Sequence, residues 1–295
     1  MRKYEFVTVD VFTDSRFGGN QLAVLPNAVG LSDREMQAIA AEFNLSETTF
    51  VLPPENRVHS ARVRIFNRTG ELPFAGHPNV GTGFVLARMG RDRDNTLMFE
   101  EAAGTVEVRV RRDENGTPLG ATVTAPQPLS VGAEMPPHDI VPCVGFAVED
   151  VVLTRHAPIV ISMGSPFVVA EVTPEALTRA VPDVACFRRV VRERPDFAGR
   201  LSLHIYSKGK DGIRARMFAP LDGTFEDAAT GGANAPLGGL LLSLGNESSA
   251  HYTIVQGVEM GRPSRLEVTA WRTPRGIMAT VGGRCVEVMS GQILV

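Results

Sequence analysis

Residues 62–90 read RVRIFNRTGELPFAGHPNVGTGFVLARMG, and residues 214–245 read RARMFAPLDGTFEDAATGGANAPLGGLLLSLG. Both open on Arg-x-Arg-x-Phe, pass through a polar turn to two adjacent residues, Gly76-His77 and Gly231-Gly232, and continue as an apolar run closed by glycine, Gly90 or Gly245. The same order of strand, small-residue turn, helix length and glycine stop argues for a structural duplication. In each copy the alternation of the opening pentapeptide marks a strand with one buried face. Pro78 suits the first helical position, and Gly90 and Gly245 suit the left-handed residue that ends a helix. Between them, Arg88 is the only charge, so each helix is apolar nearly all round and belongs in a core. Gly81, Gly83, Gly238 and Gly239 each cost about 1 kcal/mol against alanine in a helix interior. They are expected to let neighbouring strands approach closely.

The start of each helix carries the functional expectation. Unpaired backbone N–H groups and the positive end of the helix dipole favour an anion, and glycine admits a ligand close to the backbone. For one copy the plainer reading is a tight turn. Two copies, one with His77 and one preceded by Glu226-Asp227, point to a cleft between two similar halves that holds a small carboxylate.

Working outward, 295 residues at 43% hydrophobic content suffice for two domains of roughly 130–150 residues. The proline-rich segment 126–137 sets the boundary, giving halves of 1–126 and 127–295, with the last strand either in the second half or returned to the first. A formal charge of −3 gives no drive toward nucleic acid or anionic membrane. No apolar run approaches the roughly 18 residues of a membrane helix, and the opening MRKYEFVTVDVF alternates as a strand rather than a signal peptide. Cys143, Cys186 and Cys285 have no paired spacing, as expected of core thiols in a reducing cytoplasm.

Ser32 and Glu35 form a capping box ahead of Met36, Ile39, Ala40 and Phe43 at helical spacing, and that helix should end near Asn44. The strand that follows starts at Glu47, an acid whose ordinary role would be a solvated strand end. Further strands are expected near residues 96–101, 105–112 and 121–125. In the second half, residues 164–169 (GSPFVV) echo residues 19–24 (GNQLAV), Thr173-Pro174 starts a short helix, and strands dominate the remainder. Many strands with two long internal helices make an α+β fold rather than alternating βαβ units. Residues 76–82 have the outer spacing of a phosphate loop without its lysine. Scattered histidines and cysteines disfavour a metal site, and no GxSxG elbow occurs.

The motifs LSETTFVL (45–52), ELPFAGHP (71–78), RMFAPLDGTFEDAATGGA (216–233) and IVQGVEMGRPS (254–264) resemble, in order and across the chain, the PhzF family of phenazine biosynthesis, within the diaminopimelate epimerase-like fold. The resemblance implies two pseudo-symmetric domains, each a mixed sheet or barrel around a central helix. It implies an isomerase with neither metal nor cofactor, usually a homodimer, which moves a proton between carbons of a small cyclic carboxylate such as a dihydro-3-hydroxyanthranilate. By the same resemblance Glu47 is the base, His77 and Asp227 hold and polarise the substrate, and Gly76, Gly231 and Gly232 offer N–H groups to its carboxylate. Asn20 and Ser46 line the site. Burial in a closed cleft would suit Glu47 to this work by raising its pKa. Two departures stand out: Gly232 where serine is common, and Asn67-Arg68 where Thr-Pro is common. Related racemases carry a cysteine before each paired glycine, positions held here by Ala75 and Thr230. The alternatives are a cysteine-independent racemase or epimerase and a non-catalytic carboxylate-binding protein.

Overall fold

The computed structural model describes residues 1–197, 199–210 and 212–295. Its chain divides into two compact units, Met1–Pro126 with Thr280–Val295, and Gln127–Ala279. The first carries β1 (Lys3–Val11), β2 (Asn20–Leu25), α1 (Asp33–Phe43), β3 (Glu47–Leu52), β4 (Ala61–Phe66), β5 (Glu71–Leu72), α2 (Gly76–Arg88), β6 (Thr96–Glu101), β7 (Gly104–Arg112) and β8 (Pro118–Thr124). The second carries β9 (Ser130–Glu134), α3 (Pro137–Ile140), β10 (Ile159–Ser162), β11 (Pro166–Glu171), α4 (Pro174–Arg179), α5 (Val184–Glu193), β12 (Leu203–Gly209), β13 (Gly212–Ala219), β14 (Thr224–Asp227), α6 (Gly231–Ser243), β15 (Ser249–Gln256) and β16 (Ser264–Thr273). The long β17 (Gly276–Leu294) begins in the second unit and contributes its remainder to the first.

Strand pairing carries the duplication. In the first unit β17–β1 and β1–β2 are antiparallel, β2–β3 parallel, β3–β4 antiparallel, β4–β6 parallel and β6–β7 antiparallel. The second unit repeats that order through β9–β10, β10–β11, β11–β12, β12–β13, β13–β15 and β15–β16. Antiparallel β7–β8 and β8–β17 then close the first unit into an eight-stranded barrel. This is an α+β fold of two similar units.

Inside the barrel, α2 is buried from Gly76 to Ala87. A Cβ on Gly81 would lie 2.6 Å from Leu22 Cδ2, and one on Gly83 2.6 Å from Val108 Cγ1. Gly238 of α6 meets Val268 Cγ1 at 2.5 Å in the same way. These glycines permit the close helix–strand approach expected of them. On the outer side of the first unit, α1 starts at the Ser32–Glu35 capping box, ends on left-handed Asn44, and packs Met36, Ile39 and Ala40 against Phe50 and Phe66.

The repeated Arg-x-Arg-x-Phe has a structural explanation. Its second arginine forks onto an acid of the short strand beside it: Arg64 to Glu71 at 2.7 and 2.6 Å, Arg216 to Glu226 at 2.8 and 2.8 Å. Each guanidinium also lies over the phenylalanine two residues on, Phe66 or Phe218. Bidentate pairs of this kind fix orientation as well as contributing energy. They anchor the turn that leads into each central helix.

Several details differ from expectation. Pro78 is the third helical residue, where its missing N–H still leaves no intrahelical bond unmade. Gly90 is left-handed at φ +69°, whereas Gly245 is not; the end of α6 is held instead by Arg272, which donates to the Leu242 and Gly245 carbonyls. The segment taken as an aperiodic boundary contains β9, an exposed strand with no alternating pattern to reveal it. Asp183 caps the unanticipated α5, which buries Phe187 and Val190. Among the described residues no helix is long and apolar enough to cross a membrane.

Candidate active site

Glu47 is the first residue of β3, paired in parallel register with Leu22 of β2, so its position follows from the sheet. His77 is the second residue of α2. Both side chains are largely buried, at 18% and 6% exposed, and Glu47 Oε2 stands 3.2 Å from His77 Nε2. A proton shared between acid and imidazole would keep two lone pairs from meeting at that distance. The other ring nitrogen, Nδ1, is 3.4 Å from the Asn20 amide, and Ser46 donates to Asn20 Oδ1 at 3.0 Å. The structure thus joins Ser46, Asn20, His77 and Glu47, four residues singled out in the sequence, into one contiguous polar group. Burial pushes the His77 imidazole down to about 3, and a hydrogen bond with the Gln21 backbone offsets only part of that. The ring is therefore neutral at ordinary pH.

No side chain caps α2. The first N–H groups of a helix have no intrahelical acceptor, and here Gly76 and His77 supply them at the positive end of the dipole.

The second unit builds a corresponding start for α6, which also lacks a side-chain cap. Asp227 ends β14 and is buried; its Oδ2 accepts from Thr230 Oγ1 at 2.6 Å. Gln256, on β15, donates to the Asp227 carbonyl at 2.8 Å and to Thr230 Oγ1 at 2.9 Å, and accepts from the Thr230 N–H and from Asn234 Nδ2. Gly231 and Gly232 follow with their N–H groups at the helix start. A Cβ at Gly232 would meet only the Phe167 ring edge, at 3.6 Å. Space alone does not exclude a side chain there. The sequence names Thr230 only as the residue in place of a racemase cysteine, and it does not single out Gln256 or Asn234; register places Gln256 under the turn, and no local motif marks it.

A family model described as "Phenazine biosynthesis-like protein" matches residues 9–291. The chain belongs to this family. Among its relatives, an uncharacterized isomerase of Mesorhizobium japonicum is 34% identical over the full length of both chains. The trans-2,3-dihydro-3-hydroxyanthranilate isomerase of Pseudomonas chlororaphis is 35% identical over 88% of each. A Bacillus anthracis phenazine biosynthesis protein of the PhzF family matches all of both chains with a TM-score of 0.88 at 24% identity, which shows the shared fold. Like its relatives in the PhzF family, this protein is an isomerase.

Proposed function

We propose that this isomerase moves a proton from one carbon to another of a small cyclic carboxylate, using its own side chains and no cofactor, with Glu47 as the base. The observation that carries the reading is the 3.2 Å approach of Glu47 Oε2 to His77 Nε2. A proton shuttle must be stable both empty and loaded. When Glu47 is ionised, the neutral ring presents Nε2–H to it and Nδ1 accepts from the Asn20 amide. When Glu47 carries the substrate's proton on one oxygen, its carbonyl oxygen still accepts from the same Nε2–H. The imidazole thus supports both states as a neutral donor, without becoming charged. In the first unit Gly76 is assigned as an N–H donor to a carboxylate; in the second, Gly231 and Gly232 are assigned the same role and Asp227 that of a group that holds a ligand.

Relatives at about 35% identity are named for trans-2,3-dihydro-3-hydroxyanthranilate, so that compound heads the substrates to test. Incubation in deuterated water with this and other cyclic carboxylates should place deuterium on carbon. Glu47→Gln keeps the size of the side chain but cannot accept a proton, so turnover should fall about 10²-fold or more while ligand binding persists. Near-native deuterium exchange by Glu47→Gln would transfer the role of base to another group, with Asp227 and His77 next to be tested.

A further inference from the structure

Glu101 ends β6, and pairing shows where it belongs. In the first unit Arg62 of β4 pairs with Glu100, and in the second Arg214 of β13 pairs with Val255. Since Arg62 and Arg214 open the duplicated motif, Glu101 is the counterpart of Gln256. The helices match in the same way: Asn79 and Asn234 are each the fourth residue, and each donates its amide to the residue just ahead of its helix, Ala75 O at 3.1 Å and Thr230 O at 3.0 Å. Gln256 completes this arrangement in the second unit by accepting from Asn234 Nδ2 at 2.8 Å and donating its own amide protons to the turn. Glu101 stands beside Asn79 with no amide protons to give.

The hydrogen-bond count around that point is unbalanced. Glu101 Oε1, Glu101 Oε2 and Asn79 Oδ1 are all buried and none meets a donor in good hydrogen-bond geometry, although the Asn79 amide lies near enough to act on the Glu101 carboxyl. Three acceptor oxygens without a donor need a proton, since a buried unsatisfied polar group costs far more than a satisfied one gains. A carboxylic acid has the donor and acceptor pattern of a primary amide with one donor fewer.

We propose that Glu101 works as a neutral carboxylic acid, the first unit's counterpart of Gln256, and is a positioning residue for the turn of α2 that carries His77. Its carbonyl oxygen takes the role of Gln256 Oε1 toward the asparagine amide, and its O–H the role of the Gln256 amide protons. The adjoining backbone supports this placement, because the Ala103 N–H just beyond Glu101 donates to the Pro73 carbonyl ahead of α2 at 3.0 Å. Burial agrees: it pushes the Glu101 carboxyl up to about 8, the Asn79 amide offsetting only part.

The protonation of Glu101 can be read in the ligand-free protein, without turnover. In an infrared difference spectrum at pH 6, wild type minus Glu101→Gln, the band lost should be that of a protonated carboxylic acid. Loss of ionised carboxylate bands instead would overturn the proposal. In parallel, Glu101→Gln installs the second unit's own residue and should leave amide hydrogen exchange of the first turn of α2, and the ring nitrogen resonances of His77, unchanged. Glu101→Leu should speed that exchange roughly tenfold or more, as expected when a buried hydrogen bond is lost, and should shift the His77 signals. If Gln disturbs these signals as much as Leu, or if Leu leaves the His77 resonances in place, Glu101 does not position this turn.

Discussion

His77 and His204 occupy the two units differently but answer acid in the same direction. His204 is buried in β12 with Nε2 3.1 Å from Asn234 Oδ1, and burial pushes its imidazole down to about 4, as it pushes that of His77 to about 3. In the unfolded chain both would take up a proton near pH 6.5. Folded-state values below the unfolded one mean that the unfolded chain binds more protons between those limits, so stability is present above about pH 6.5 and is lost as pH falls toward 4 and 3. Glu101 works in the opposite sense, since a carboxyl raised from 4.5 to about 8 adds stability as pH falls toward 4.5, but two histidines outweigh one acid, so the thermal midpoint should fall between pH 6.5 and pH 4. His204→Gln keeps a donor for Asn234 and removes one titration, so its midpoint should fall less steeply over the same range, whatever its value at pH 7. An unchanged slope would mean that His204 does not remain neutral in the folded protein.

The two central helices and their glycines set the limits of tolerance at the next scale. Gly83 and Gly238 occupy equivalent positions, and each faces a valine of an equivalent strand, Val108 of β7 or Val268 of β16. A Cβ at either would lie at 2.6 or 2.5 Å from a valine methyl, well inside the roughly 3.5–4.0 Å optimum for carbon pairs. The branched Cβ of valine restricts χ1, so the side chain cannot easily turn aside. Alanine gains about 1 kcal/mol of helix propensity, but overpacking costs about 1–3 kcal/mol, and contacts this short belong at the upper end. Gly83→Ala should lower stability in denaturant unfolding, and adding Val108→Ala should recover part of the loss from overlap; a stabilised Gly83→Ala would show that the strand yields. These glycines were legible in the sequence because they interrupt an otherwise apolar helix. Glu101 and Gln256 were not, since only strand register carries residues from β6 and β15 to the turns of α2 and α6. The Glu47–His77 contact is likewise invisible to periodicity, and it was the resemblance of LSET and GHP to a known family that singled out both residues. β9 and α5 were missed for other reasons: the one lacks a buried face, and the other follows a stretch with no clear landmark.

Across the whole molecule, duplication accounts for most of what the sequence revealed, because the same strand and helix signals appear twice at matching spacing. Closure of the first barrel is different in kind. Its eighth strand comes from the far end of the chain: residues 280–284 of β17 run antiparallel to β8, and residues 285–294 antiparallel to β1. The approach is close at its centre, where a Cβ on Gly120 would lie 2.0 Å from the Gly283 carbonyl oxygen and one on Gly282 2.7 Å from that of Ala121. Alternation marks these residues as a strand, but nothing local says which sheet they join. A chain ending at Ala279 would leave β1 and β8 as open edges, each with a row of unpaired N–H and C=O groups, and would uncover α2 with its buried His77. Exposed edges of this kind invite pairing with other chains. The shortened protein should therefore aggregate, and hydrogen exchange in any soluble fraction should show protection lost from β1, β8 and α2. Addition in trans of a peptide of residues 280–295 should restore part of that protection. Native protection in β1 and β8 without those residues would mean that the barrel does not depend on the strand that closes it.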